Sequence, residues 1–216
     1  MKPITFCVEY FDPPDPIRKE EIEGALRHNL ALDVIQQVVI FSDVEIPNFA
    51  RMQKVSVRKL GKRFVYADFL KCASDPGRVY LLANADIQFE KGARFLQYVP
   101  KNQLWALTRW ERDGELSKGG RQSQDAWALR GGEWKDELMR HCDIQLGWPG
   151  CENSFAGRIH EAGLGVKNYC RDIRGVHIHS STTRNYGEKN RIPRPYCLPD
   201  PRRIPLWIRL MTYLRM

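Results

Sequence analysis

Two side chains suited to holding a metal and its phosphate close an apolar run at Arg78-Val79-Tyr80-Leu81-Leu82-Ala83-Asn84-Ala85-Asp86-Ile87. A short apolar run reads as a buried strand. In an open α/β sheet, ligands bind just beyond the carboxyl ends of the strands. Asp86 therefore falls at the rim of a cleft. On an extended chain Asn84 and Asp86 share one face, because side chains alternate with period two. Two oxygen-bearing groups on one face suit a hard divalent cation carrying a phosphate. The same aspartate also suits a turn cap at a strand end.

His177-Ile178-His179-Ser180 puts two imidazoles on one strand face. Imidazole beside carboxylate is a good ligand set for Mn²⁺-like metals. Arg184 follows closely and carries the charge to neutralise a leaving diphosphate. Arg109, in Leu107-Thr108-Arg109-Trp110-Glu111, comes after another apolar run and reaches the same side of a sheet. Asp125 lies two residues from Trp127, and a carboxylate beside a large ring can hold a sugar. A turn aspartate next to a core tryptophan fits the same residues. In Leu146-Gly147-Trp148-Pro149-Gly150-Cys151-Glu152-Asn153, two glycines and a proline make a tight approach. Glu152 then falls at a helix N-terminus, where the dipole favours the anion. A cleft carboxylate of this kind can act as general base, though Glu152 or Asn153 would also serve as a plain cap. Arg63 can pair with a phosphate and Tyr66 can stack on a base; a basic helix start with an aromatic core face reads equally well.

The scaffold that must hold these groups alternates strand and helix. Ile4 to Tyr10 reads as a strand, followed by a proline-rich loop that cannot continue a ladder. Ile17 to Leu30 reads as a helix, with Ile17, Ile22, Ala25, Leu26 and Leu30 near one face. Val34 to Phe41 and Lys54 to Arg58 follow as strands, and Phe64 to Ala73 as a short helix. Leu104 to Arg109 is a strand, Gly114 to Gln122 a polar loop, Asn153 to Ala162 a helix and Val176 to His179 a strand. This order predicts an α/β domain with a central, mostly parallel mixed sheet and helices on both faces.

A chain of 216 residues with 43% hydrophobic content fits one globular domain with a sizeable core. The domain is expected over residues 1–186. Residues 187–216 form a basic tail, with seven Lys/Arg against two acids, a net of +5. Pro205 to Met216 mixes Trp, Tyr and aliphatics with Arg, which suits an amphipathic helix on a membrane surface. A helix packed back on the domain has the same periodicity. None of the six cysteines forms a CxxC pair or a zinc-like cluster with histidine. Glu9 and Asp12 interrupt any signal-peptide core, and no apolar run is long enough to span a bilayer. The expectation is a cytoplasmic protein with free thiols, in peripheral membrane contact if the tail lies on lipid. The formal charge of +8 favours anionic partners. No aromatic-interleaved basic stripe or nucleic-acid motif is present, so nucleic acid is not expected. A nucleic-acid or other polyanion binder is the alternative from charge alone.

Ala83-Asn84-Ala85-Asp86-Ile87, Ser123-Gln124-Asp125, Gly150-Cys151-Glu152-Asn153 and His177-x-His179-x-Ser181 with Arg184-Asn185-Tyr186 occur in that order. Together with Arg63-x-x-Tyr66-x-Asp68-Phe69 they resemble small glycosyltransferases of the GT-A fold, among them the N-terminal domain of an algal-virus capsid-glycosylating protein. The resemblance covers about residues 4 to 187. It implies a GT-A-like fold and metal-dependent transfer from a nucleotide-sugar, a UDP-sugar, to a glycan or glycoprotein acceptor. It assigns Mn²⁺ or Mg²⁺ to Asp86, His177 and His179, and donor binding to Tyr10, Arg63, Tyr66, Asp68, Asn84, Arg109 and Arg184. The family's usual Asp-x-Asp is here Asn84-x-Asp86. Gly147 to Asn153 is also similar to a segment of β-1,4-galactosyltransferases, which implies that Glu152 is the catalytic base, with Asp125 holding a sugar. An inactive, glycan-binding relative would carry the same fold.

Overall fold

The computed structural model describes residues 1–90, 92–179 and 190–214. In chain order the elements are β1 (Ile4–Glu9), α1 (Pro16–Leu30), β2 (Ile35–Phe41), β3 (Val55–Arg58), α2 (Tyr66–Cys72), β4 (Val79–Ala83), β5 (Ile87–Phe89), β6 (Gln103–Thr108) and β7 (Trp110–Glu111). They continue with β8 (Gln124–Arg130), α3 (Asp136–His141), α4 (Cys151–Glu161), β9 (Gly165–Lys167), β10 (Gly175–His177) and α5 (Leu206–Tyr213). The main sheet has seven strands in the order β3-β2-β1-β4-β8-β6-β9. Only β8 runs against the rest. A second sheet of three strands, β5-β10-β7, lies beside it.

Strand alternation builds two cores, one on each face of the main sheet. From β4, Val79, Leu81 and Ala83 pack with Ile22 and Leu26 of α1 and with Ile208 of α5. Tyr80 and Leu82 point the other way, toward Phe69 of α2 and Phe155 of α4. Helices therefore cover both faces, as the alternation of elements requires. Helix α1 starts where Asp15 caps it, its carboxylate accepting from the Ile17 amide at 3.0 Å, with Pro16 in the first turn.

Two expectations shift. Ile17 is exposed, and Glu21 and Asn29 take buried places on α1 instead. Asn29 bridges to β5: its amide donates to the Ile87 carbonyl at 2.8 Å, and its side-chain oxygen accepts from the Phe89 amide at 2.9 Å. The described part of the tail is strapped to the domain. Ile192 N donates to Pro149 O at 2.8 Å, Cys197 N to Asn153 O at 3.0 Å, and Arg202 N to Asn168 O at 2.9 Å. Among the described residues, no helix is long and apolar enough to cross a membrane.

Candidate functional site

The topology brings the chemical groups to one edge. In the main sheet, Ala83 at the end of β4 pairs with Ala126 near the start of the antiparallel β8, and Ala126 also pairs with Leu107 near the end of β6. The residues just past these positions, Asn84, Asp125 and Arg109, meet there. β10 reaches the same edge through the second sheet, where His177 pairs with Ile87 and with Glu111.

Beyond Ala83 the chain turns and does not stay extended, since the Ile87 amide returns to the Asn84 carbonyl at 3.2 Å. Asn84 and Asp86 therefore diverge, contrary to the shared face expected for a strand. The Asn84 amide donates to Asp125 Oδ1 at 2.7 Å. Asp125 also accepts from Ser123 Oγ at 3.2 Å and from Arg109 Nη1 at 3.4 Å. Burial pushes the Asp125 carboxyl upward, opposed by Arg109 and His177.

Asp86 faces the other way, into a cluster with both histidines. Its Oδ2 lies 3.0 Å from His177 Nε2 and 3.9 Å from His179 Nδ1. The two imidazoles stack, with centroids 5.2 Å apart and planes 21° from parallel. Burial works against the Asp86 carboxylate, yet His177 and Arg18 outweigh it and hold the group well below the usual carboxylate range. Burial works against a proton on His177 as well, and Asp86 overrides it, raising that histidine. His179 is lowered, by burial first and Arg18 second, which favours the neutral ring that a metal needs.

The ligand atoms of Asp86, His177 and His179 all lie within 4.8 Å of one another. A cation bonded at about 2.1 Å to each would hold opposite donors about 4.2 Å apart. The trio is close enough to share one cation once the Arg18 head, 2.5 Å from His179 Nδ1 and 2.7 Å from Asp86 Oδ2, moves aside. One carboxylate with two imidazoles is a donor set for Mn²⁺-like metals.

Three residues of this cluster escape a sequence reading. Arg18 Nη2 pairs with Asp86 at 2.7 Å, and its Nη1 with Glu21 at 3.0 Å. Glu21 Oε2 lies 3.3 Å from His179 Nδ1. Glu111 Oε2 stands 3.5 Å from His177 Nδ1 and fixes the ring from behind. The one available signal is Arg18-x-x-Glu21 in the first turns of α1, a pair that also reads as a surface ion pair.

Glu152 occupies the first turn of α4, after Gly150 in a left-handed conformation. That turn is tied to β8: Gln124 Nε2 donates to Asn153 Oδ1 at 3.0 Å, and Asn153 Nδ2 to Gln122 O at 3.2 Å. Burial, with the charge of Asp125, pushes the Glu152 carboxyl up to about 7, although backbone and Cys151 contacts oppose them. The helix terminus alone would have kept it an ordinary anion; desolvation wins here.

Other expected donor-binding residues are engaged elsewhere. Tyr66 is fully buried, stacked on Phe155 at 4.2 Å and edge-on to Trp127 at 5.1 Å, so its ring offers no surface to a base. Asp68 accepts from the Val65 amide at 3.3 Å as part of the α2 cap. Tyr10 is buried and its hydroxyl donates to Glu23 at 3.2 Å. Arg63 is exposed, 3.8 Å from Glu9. Arg184 lies outside the described residues.

No family model matches the chain, and no curated protein does. Solved structures do. GalNAc-T7, solved with UDP, GalNAc and Mn²⁺, aligns over 86% of this chain with TM-score 0.58 and 10% identity. S. aureus TarS, solved with UDP-GlcNAc, aligns over 84% with TM-score 0.54 and 12% identity. The chain spans 45% and 60% of those two chains. A Francisella tularensis cytidylyltransferase aligns over 82% of this chain and 94% of its own, with TM-score 0.47 and 10% identity. At such identities the likeness to the first two is one of fold, and that fold is GT-A-like.

Proposed function

We propose that this protein is a metal-dependent glycosyltransferase that moves a sugar from a UDP-sugar to a hydroxyl of a glycan or glycoprotein. The observation that carries the reading is the convergence of Asp86, His177 and His179 at the carboxyl edge of a GT-A-like sheet. The UDP ligands of GalNAc-T7 and TarS, and the Mn²⁺ of the former, support the choice of donor and metal.

A divalent cation held by the trio supplies Lewis-acid neutralisation of the leaving diphosphate. The remaining work falls to side chains. Glu152 accepts the proton of the attacking hydroxyl; a carboxyl titrating near 7 suits that role at neutral pH. Asp125 is locked by Asn84, Ser123 and Arg109, so its carboxylate is a fixed acceptor for sugar hydroxyls. Arg109 and Arg184 furnish positive charge for the diphosphate. Attack with Glu152 as base gives inversion at the anomeric carbon, and the local likeness of Gly147 to Asn153 to β-1,4-galactosyltransferases supports that assignment.

Thermal melts with UDP-, GDP-, CMP- and dTDP-sugars, with and without Mn²⁺, test the reading. A native-state ligand raises apparent stability. The expected result is a shift with UDP-sugars that requires Mn²⁺ and vanishes in Asp86→Asn while far-UV circular dichroism stays unchanged. No shift with any donor would overturn it in favour of an inactive or polyanion-binding relative.

A further inference from the structure

The C-terminal helix α5 is apolar on two sides, and the domain uses only one. Ile208 and Thr212 are buried against the α1-side core, which Ile204 also enters. Arg209 locks the helix down by donating to both carboxylate oxygens of Asp172, at 2.8 and 2.6 Å. The opposite side carries Leu206, Trp207, Leu210, Met211, Tyr213 and Leu214, which are 69, 58, 52, 38, 72 and 82% exposed. At 100° per residue these positions sweep a continuous band about 160° wide. A surface helix of a self-sufficient domain presents charged and polar residues on that arc. A contiguous exposed apolar band of this kind marks an interaction surface.

The surroundings of the band indicate its occupant. Exposed Arg171, Arg202 and Arg203 stand on the segments to which α5 is fastened. Exposed Arg94 belongs to the short helix Ala93–Tyr98, which packs directly against α5. Of the acids nearby, Asp172 is consumed by Arg209 and Arg203, and Asp200 pairs with Arg121 at 3.4 Å. Trp, Tyr and Leu on one helix face, with exposed arginines on the neighbouring segments, are the composition of a helix that lies at the headgroup boundary of a bilayer. A second copy fits less well: a two-fold interface would set identical arginine rims against each other, on a chain whose formal charge is already +8. An anionic leaflet complements both the band and its rim.

We propose that the outer face of α5 docks the protein in-plane on an anionic lipid bilayer, with Trp207, Leu210 and Leu214 entering the acyl boundary and Arg171, Arg202 and Arg203 meeting the headgroups. Docking needs neither donor nor metal, so it stands or falls separately from the sugar-transfer reading.

Co-sedimentation of the full chain with vesicles tests this. Phosphatidylcholine vesicles with and without about 30% phosphatidylserine are compared at low and high salt, against Trp207→Ser/Leu210→Ser/Leu214→Ser and Arg202→Gln/Arg203→Gln. Both variants change exposed side chains only, and circular dichroism verifies their folding. The expected result is binding to the anionic vesicles that falls more than tenfold in the triple variant and becomes less salt-sensitive in the arginine variant. Binding that survives the triple variant overturns the proposal. So does equal binding to neutral vesicles. Absence of vesicle binding also overturns it, and if concentration-dependent dimerisation is then seen in sedimentation velocity and lost in the triple variant, the occupant is a second copy.

Discussion

Replacing Glu152 by glutamine removes a proton acceptor while keeping the size of the side chain, and its effects on rate and on stability should be opposite in sign. Burial, helped by Asp125, raises the carboxyl from 4.5 to about 7 in the folded protein. The folded state therefore holds this proton more tightly than the unfolded chain does. The associated stability is fully present below pH 4.5 and is lost as pH rises through 7. At 1.36 kcal/mol per unit, complete ionisation costs up to about 3 kcal/mol, and solvent reaching the half-buried carboxyl lowers this to about 1–3 kcal/mol. A neutral glutamine does not bear that cost. At about 2–4 °C per kcal/mol for a domain of this size, Glu152→Gln should melt about 2–12 °C above the wild type at pH 8.5, and about level with it at pH 4, below the unfolded-state value of 4.5. Its turnover should fall about 10²- to 10⁴-fold with donor KM nearly unchanged. The wild-type kcat/KM should climb with pH through about 7 and then level off. Calorimetry at the two pH values and a pH–rate profile check each limb. A variant that turns over normally at pH 8 would refute the role of base and turn attention to Asp125. Equal melting offsets at both pH values would refute the desolvation on which the magnitude rests.

Two further substitutions probe the network around the candidate metal trio. Arg18 neutralises Asp86 at 2.7 Å, competing with any cation for the same oxygen; Arg18→Gln should bind Mn²⁺ roughly tenfold tighter by calorimetric titration, a change on the order of 1–2 kcal/mol, and weaker binding would show that Arg18 orders the carboxylate instead. Asn84→Asp creates the Asp-x-Asp usual in GT-A glycosyltransferases but puts a carboxylate 2.7 Å from Asp125 Oδ1. It should lose about 1–3 kcal/mol in urea melts at pH 8, recover as the pair takes up a proton below about pH 5, and gain no Mn²⁺ affinity.

The alternation of strand and helix through the first half of the chain was legible because each segment carries its own period: β1, α1, β2, α2 and β4 lie within a few residues of where the apolar patterns put them. The second half was less so. β8 follows a polar loop, and its buried run Asp125 to Leu129 has no alternation, since both of its faces are covered. β5, β7 and β9 have only two or three residues each, too few for a period. The tail shows a different limit. Its pattern allowed either docking on the domain or lying on lipid, and α5 has one apolar stripe buried and another exposed, a division that depends on which surface the chain folds against.

At the site, residue types were legible and partnerships were not. Asp86, His177 and His179 could be singled out because a strand end and a period-two pair are local features. Arg18, 68 residues upstream of Asp86, meets it only through the packing of α1 beside β5. The residue type at position 84 also has a nonlocal reason. At position 84 the chain turns so that the side chain meets Asp125, where an amide donates a hydrogen bond and a second carboxylate would repel. Asp125 already depends on Arg109, at 3.4 Å, and then on His177 to offset its burial. An acid at 84 and a fixed acid at 125 therefore exclude one another. With Asn84 committed to Asp125, the candidate cation cluster is made instead by Asp86 with His177 at the end of β10 and His179 just beyond it.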